Sequence, residues 1–269
     1  MNLVDRVAVI TGAGSGIGRA TALAMARRGA RLALADVDGA GVAATAHDAA
    51  ALGAHTTHHV LDMTDRAAVA SFPAVVRAAH GRADLLMNNA GVALGGTFEQ
   101  VDETDFDWLM DVNFGAVVRM TRAFLPLLHA SDDARIVNVS SIYGIIAPPG
   151  QAAYAASKFA VRGFSNVLRH ELEGSTVGVS VVHPGGVATK IAQNARAPAG
   201  ATAEQIEQRR RTMQKMLRMP PAQAGEIIVR GIERRAPRIL VGSDAKAAAL
   251  LERLAPTGYW NLLKKAIKR

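Results

Sequence analysis

Cysteine is absent from all 269 residues. That excludes a disulfide framework, a thiol nucleophile and thiolate metal sites, so any chemistry must come from oxygen, nitrogen or a bound cofactor. The absence fits a reducing compartment, and the chain is expected to be cytoplasmic. Aromatic residues are only 4% of the chain. None is interleaved with the cations as base-stacking platforms would be, so nucleic acid is not an expected partner. No uncharged apolar run reaches the roughly eighteen residues of a membrane span. The first residues pass through Asn2, Asp5 and Arg6 before a short apolar run, so neither a signal peptide nor a span is expected, and no metal site is expected.

Apolar residues, in contrast, make up 49% of the chain. That is enough to bury a full core, and residues 1–269 are read as one domain. The net charge of +8 is regional. Residues 1–203 hold 16 Lys and Arg against 17 Asp and Glu, while residues 204–269 hold 15 against 6.

Short apolar runs alternate with longer segments of helical period, the pattern of a parallel sheet built from βαβ units. Seven strands are expected, at Arg6–Thr11, Arg31–Asp36, His55–Leu61, Leu85–Asn88, Arg135–Ser140, Gly178–His183 and Arg238–Val241. Several are unbroken Val, Ile, Leu and Ala runs, as when helices cover both faces of a sheet. Helices are expected at Ile17–Arg28, Gly41–Leu52, Arg66–His80, Thr104–His129, Ala153–Glu173 and Ala222–Arg234. Residues 188–221 break the rhythm with Pro198, Pro220-Pro221 and a short amphipathic piece, and are read as a lid. Residues 242–269 are read as a basic tail.

The first strand ends in Thr11-Gly12-Ala13-Gly14-Ser15-Gly16-Ile17-Gly18 and runs straight into an Ala-rich helix. Without Cβ atoms the backbone can lie against a pyrophosphate, and the helix N-terminus attracts its charge. A dinucleotide is therefore the expected cofactor, with a purely structural turn as the alternative. The second strand ends at Asp36, twenty residues past Gly16. A carboxylate there accepts hydrogen bonds from ribose hydroxyls and repels a 2′-phosphate, which favours NAD over NADP. Val37, not an arginine, follows it, although Arg19 stands in the first helix and Asp36 could instead cap a turn.

This turn resembles the TGxxxGxG motif of the short-chain dehydrogenases/reductases, and further motifs follow in order. Asn88-Asn89-Ala90-Gly91 closes the fourth strand, Asn113 lies in the long fourth helix, Ser141 precedes Tyr154, Lys158 follows Tyr154 by four, and Pro184-Gly185 ends the sixth strand. The resemblance spans residues 4 to about 190, with the general layout continuing to 241. It implies a Rossmann-type doubly wound α/β fold with strand order 3-2-1-4-5-6-7. It also implies a homodimer or homotetramer, and hydride exchange between NAD and an alcohol or ketone. Asp62 and Met63 would meet the adenine, and Asn89, Ala90, Gly91, Pro184, Gly185, Val187 and Thr189 would border the cofactor. For Asp62, a capping role before Asp65 is the alternative reading.

On a helix, Tyr154 and Lys158 share one face. A free phenol, with a pKa near 10, is a poor base at neutral pH, and a neighbouring ammonium would stabilise its phenolate. Tyr154 is the expected general acid and base, with Ser141, rather than Ser140, holding the substrate oxygen. Asn113 would, by resemblance, brace the helix and a water through which protons pass from Lys158 to solvent. His183, just before Pro184, is expected to be structural. An NADPH-dependent carbonyl reductase and a non-catalytic NAD sensor are the competing readings. Tyr143, Ile191 and Met216, with Met213, Leu217 and Met219, predict a greasy pocket for a hydrophobic secondary alcohol or ketone, unless the methionines only pack the lid. The end of the chain, from Tyr259, carries an apolar stripe flanked by cations that fits either a membrane surface or packing on a subunit.

Overall fold

The computed structural model describes residues 1–267; Lys268 and Arg269, the end of the basic tail, lie outside the described residues. Seven strands are present: β1 (Val7–Thr11), β2 (Arg31–Asp36), β3 (Thr56–Val60), β4 (Leu85–Asn88), β5 (Ala134–Val139), β6 (Val177–Pro184) and β7 (Arg238–Val241). All pair in parallel, in the order β3-β2-β1-β4-β5-β6-β7. The order reverses between β1 and β4, so a crevice opens at their C-terminal ends, where α/β sheets bind ligands.

Helices α1 (Gly16–Ala26), α2 (Gly39–Ala51) and α8 (Pro221–Glu233) cover one face of the sheet. Helices α3 (Arg66–His80), α5 (Ala116–His129) and α6 (Ala152–Glu171) cover the other. Strand side chains alternate between the layers: Ala8 and Ile10 pack under α1 and α8, while Val7 and Val9 pack under α3 and α5. Both faces are thus buried, which explains why the strands read as continuous apolar runs.

The expected helix over Thr104–His129 is instead two helices, α4 (Glu103–Met110) and α5, joined by a π-helical turn over Asp111–Gly115. The wider turn inserts one residue while the apolar spacing stays regular on each side, so the pattern alone does not betray it. It turns Asn113 fully inward.

The lid carries one helix, α7 (Ala203–Met216), none of whose residues is buried. Its root is firm: the Gly186 carbonyl accepts from the N–H groups of both Arg218 and Met219, at 2.9 Å each. Residues 242–267 contain two helices that the sequence reading did not resolve, α9 (Ser243–Leu254) and α10 (Tyr259–Ile267). Tyr259 and Leu263 of α10 pack beside Ile145 and Ile146, and Tyr259 Oη accepts from the Ala147 N–H at 2.9 Å. These members of the apolar stripe are engaged within the chain. Among the described residues, no helix is long and apolar enough to cross a membrane.

Candidate active site

The glycine turn is locked to three strand ends. Asp36 Oδ2, at the end of β2, accepts from the Gly14 N–H at 2.8 Å. Asn89, after β4, donates from Nδ2 to the carbonyls of Thr11 (2.9 Å) and Gly12 (3.1 Å). Thr11 Oγ1 accepts from the N–H groups of Asn89 and Ala90, both at 3.0 Å. A methyl group on Gly18 would stand 2.1 Å from the Gly12 carbonyl oxygen, so only glycine fits where α1 leaves the strand. Gly16 adopts φ +54°, and a methyl there would sit 3.0 Å from Cγ2 of Thr189, which places Thr189 beside the turn. Neither a side-chain cap from Ser15 nor an acidic residue occupies the first turn of α1. Its N–H groups, around Ser15 and Ile17, therefore suit a phosphate.

Asp36 does two tasks in this frame, since Oδ1 also accepts from the Asp38 N–H at 2.9 Å. Each carboxylate oxygen retains acceptor capacity for a ribose hydroxyl. Arg19, the basic residue nearby, is paired with Asp48. Asp62 accepts from the N–H and hydroxyl of Thr64, both at 2.8 Å, while Asp65 is the residue that caps α3. The Met63 side chain is buried in the core and its carbonyl accepts from Arg119 at 2.8 Å.

The four expected catalytic side chains converge next to this turn, at the C-terminal ends of β4 and β5. Lys158 is buried (3% exposed), donates to the Val139 carbonyl at 3.2 Å, and lies 5.7 Å from the Tyr154 ring centroid. Burial pushes the Lys158 ammonium down to about 8. Burial pushes the Tyr154 phenol up to about 12, opposed by a hydrogen bond with Ser141 and reinforced by Tyr143. Tyr143 meets the Tyr154 ring edge-on at 6.1 Å. Ser141 Oγ accepts from the Tyr143 N–H at 3.1 Å, which aims its own proton outward. Ser140 instead donates to the Lys158 carbonyl at 2.8 Å and so serves structure.

Asn113 is a brace. Its Oδ1 accepts from the Val92 N–H (2.8 Å) and its Nδ2 donates to the Val92 carbonyl (3.0 Å) and to Ser157 Oγ (3.2 Å), tying the loop after β4 to α6. A methyl on Gly91 would stand 3.1 Å from Asn113 Oδ1 and 3.4 Å from Lys158 Nζ, which places that loop against both side chains. His183 holds the Ser141 carbonyl through Nδ1 at 2.9 Å, and burial pushes its pKa down to about 4, in keeping with a structural role.

A cavity of about 220 Å³ opens between α7 and the segment after β4, and Leu94 in its lining belongs to the apolar cluster against which Tyr154 packs. Its lining differs from the greasy wall expected. Met213 takes part, but Met216 is 48% exposed and outside the lining, and Met219 packs into the main core. The half-buried Ile191 is likewise outside the lining, whereas Arg196, Arg209 and Arg210 belong to it. Helix α7 presents Arg209 and Arg210 because its period places them with Ile206 and Met213 on one side.

The family profile described as short chain dehydrogenase matches residues 6–200. The chain is a short-chain dehydrogenase/reductase. SadH of Mycobacterium tuberculosis is 42% identical over 269 residues, covering 98% of this chain and 96% of its own. A short-chain dehydrogenase/reductase from Burkholderia phymatum, solved in complex with NAD, has a TM-score of 0.87 at 32% identity and covers 95% of both chains. A metagenomic short-chain oxidoreductase solved with NADP has a TM-score of 0.65 at 38% identity, over 70% of this chain and 85% of its own. This short-chain dehydrogenase/reductase therefore belongs to an oxidoreductase family that binds NAD or NADP.

Two groups in the dehydrogenase/reductase site escaped the sequence reading. Asp244 opens α9 and binds the Gly186 backbone; Gly242-Ser243-Asp244 before an Ala-rich run is a helix-start signal that could have exposed α9, although not its contact. Arg209 and Arg210 were counted only in the regional charge. Their helical spacing from Ile206 and Met213 was the available clue.

Proposed function

We propose that this short-chain dehydrogenase/reductase moves a hydride between NAD(H) and a secondary alcohol or ketone with an apolar body. The observation that carries this reading is the convergence of Tyr154, Ser141, Lys158 and Asn113 beside a glycine turn whose partner on β2 is a carboxylate. NAD would be held by the Gly12–Gly18 turn, by Asp36 at the adenosine ribose, by Asp62 and Met63 near the adenine, and by Asn89–Gly91. Pro184, Gly185, Val187 and Thr189 would flank its nicotinamide end. When bound, the nicotinamide ring supplies or accepts the hydride.

The chain's own residues handle the proton. Ser141, oriented by the Tyr143 N–H, donates to the substrate oxygen and sets it against Tyr154. Tyr154 takes the hydroxyl proton in oxidation and returns it in reduction. The Lys158 ammonium, 5.7 Å from the Tyr154 ring centroid, would favour the phenolate against the burial that disfavours it. Asn113 fixes the distance between the loop after β4 and α6 by gripping Val92 and Ser157. Tyr143 borders the reacting end of the substrate. Exposed Phe159 and Val167 on α6 support self-association as a dimer or tetramer, which light scattering after size exclusion would measure.

Fluorescence titration with NADH and NADPH, followed by a screen of secondary alcohols, tests the proposal. NADH should bind at least about tenfold more tightly, a difference of about 1.4 kcal/mol. Tyr154→Phe should keep that affinity and lose more than about a hundredfold in turnover. Equal nucleotide affinities would remove the NAD assignment, and full turnover by Tyr154→Phe would remove the catalytic one.

A further inference from the structure

The cavity under α7 contains cations that the hydride-transfer reading does not use. Gln151, at the start of the helix that bears Tyr154, forms part of its wall, and Leu94, also in the wall, belongs to the apolar cluster against which Tyr154 packs. Much of the wall is apolar, with Leu94, Pro198, Ile206 and Met213 among its members, and no carboxylate lines it among the described residues. Arg209 rests against bare backbone at two places that frame the site. A methyl on Gly95 would stand 2.5 Å from its Nη1, and one on Gly150 would stand 4.0 Å from its Nη2. Gly95 follows β4 and Gly150 immediately precedes the helix that bears Tyr154.

The neighbouring guanidinium groups are already matched. Arg196 pairs with Asp105 at 2.8 Å and lies 3.4 Å over the Trp108 ring, and Arg211 pairs with Glu207 at 2.8 Å. Arg209 and Arg210 have no carboxylate within salt-bridge distance among the described residues. Both side chains are exposed, and two adjacent like charges repel one another. An anion held by both relieves that repulsion, and the planar fork of arginine suits a carboxylate or a phosphate.

We propose that the substrate carries an anionic group, held by Arg209 and Arg210 across the cavity, while its carbinol or carbonyl carbon lies against Tyr154 and Ser141. This rests on the hydride-transfer reading above, and it narrows the substrate to an amphipathic acid: an apolar body with the reacting oxygen toward one end and a negative charge at the other. A carboxylate and a phosphate ester share that chemistry. Closing α7 over such a molecule would bring the two cations nearer its charge, which makes the lid selective as well as protective.

Methyl ketones bearing a terminal carboxylate, from levulinate upward one methylene at a time, would be compared with their methyl esters and with oxoalkyl phosphates of matching length. Turnover would be followed by reduced-nicotinamide absorbance. Binding would be followed by quenching of Trp108 fluorescence in a Trp260→Phe background, which reads occupancy whether or not reaction follows. For at least one length the acid should exceed its ester at least about tenfold in kcat/KM and in affinity, equivalent to about 1.4 kcal/mol. Arg209→Gln/Arg210→Gln should bring that ratio close to one by raising KM for the acid, leaving the ester unchanged, and Arg209→Lys/Arg210→Lys should restore part of it. Phosphates outrunning carboxylates would identify the anion as a phosphate.

Acid and ester performing alike at every length in both assays, or a preference that survives the double Gln variant, would overturn the anion site. If esters react and acids bind no better, that site falls while hydride transfer stands. If nothing reacts but acids alone quench Trp108, the anion site stands and hydride transfer falls.

Discussion

Asp244 Oδ2, in the first turn of α9, accepts a hydrogen bond from the Gly186 N–H at 2.6 Å, two residues past the end of β6. Its Oδ1 accepts from the Ala245 N–H at 2.9 Å. A methyl on Gly185 would stand 2.1 Å from that same oxygen, so the loop is closely moulded to the carboxylate. The C-terminal helices thereby hold the shelf assigned to the nicotinamide end of the cofactor. Asp244→Ala leaves the Gly186 N–H without its acceptor and should weaken NADH binding about five- to tenfold, while Asp244→Asn, which retains an acceptor, should lose less. Titration of both variants checks this, and an unchanged affinity in Asp244→Ala would remove Asp244 from the cofactor site.

Asp36 holds both the Gly14 N–H and, in the proposed complex, a ribose hydroxyl. Asp36→Ala should therefore reduce NADH affinity by about tenfold or more and NADPH affinity by less, since a negative charge facing the 2′-phosphate is lost with it. The ratio of the two dissociation constants is the quantity to measure. A ratio identical to that of the parent chain would show that Asp36 only braces the turn.

Burial places the Lys158 ammonium at about 8 and the Tyr154 phenol at about 12. At pH 7 the lysine is charged and the phenol protonated. Oxidation needs the phenolate and should rise with pH, whereas reduction needs the phenol and should fall as pH rises. Lys158→Met removes the cation that favours the phenolate, so its oxidation limb should move to higher pH and its kcat should drop. Lys158→Arg should move less. Profiles of kcat/KM against pH in both directions test the sign; a limb displaced toward acid in Lys158→Met would contradict it.

His80 and His183 are both held at about 4, mainly by burial, with His55, Arg31 and His59 adding to the effect at His80 and Arg238 and Arg162 at His183. For each, the folded value lies below the ordinary value of 6.5, so the fold prefers the neutral ring. The stability this provides is complete above about pH 6.5 and is lost as pH falls toward 4. His80 also bonds the Thr57 hydroxyl through Nε2 at 2.8 Å, a contact that glutamine can keep. On passing from pH 7 to 5 the parent chain should lose on the order of 1 kcal/mol more than His80→Gln, which corresponds to about 2–4 °C in Tm. Parallel acid-induced Tm losses in the two proteins would refute this.

Most of the sheet was legible because a doubly covered parallel strand has little choice but an unbroken apolar run, as in Val7–Thr11 and Ala134–Val139. The strand order was not in the periodicity and came from family resemblance. Tyr154 and Lys158 could be paired from sequence because a spacing of four fixes a shared helical face. Asn113 was singled out by resemblance alone, but its grip on Val92 and the hold of Asp244 on Gly186 could not be read, since these partners are joined only by folding. The π-helical turn at Asp111–Gly115 was hidden because one inserted residue leaves the apolar spacing of α4 and α5 intact. Of the methionines read as wall, Met213 lines the cavity, whereas Met219 packs against the core and Met216 is exposed, because helical spacing alone does not say which side of a lid faces inward.

The lid is rooted on the carbonyl of Gly186, which receives the N–H groups of Arg218 and Met219. The nicotinamide shelf and the roof over the second reactant are therefore one mechanical piece. In the proposed complex, seating the nucleotide would stiffen that shelf, and the roof's hinge with it, before the other reactant has a finished cleft to enter. Steady-state kinetics should accordingly follow a compulsory sequence, nucleotide on first and off last, with the nucleotide product competing only against the nucleotide.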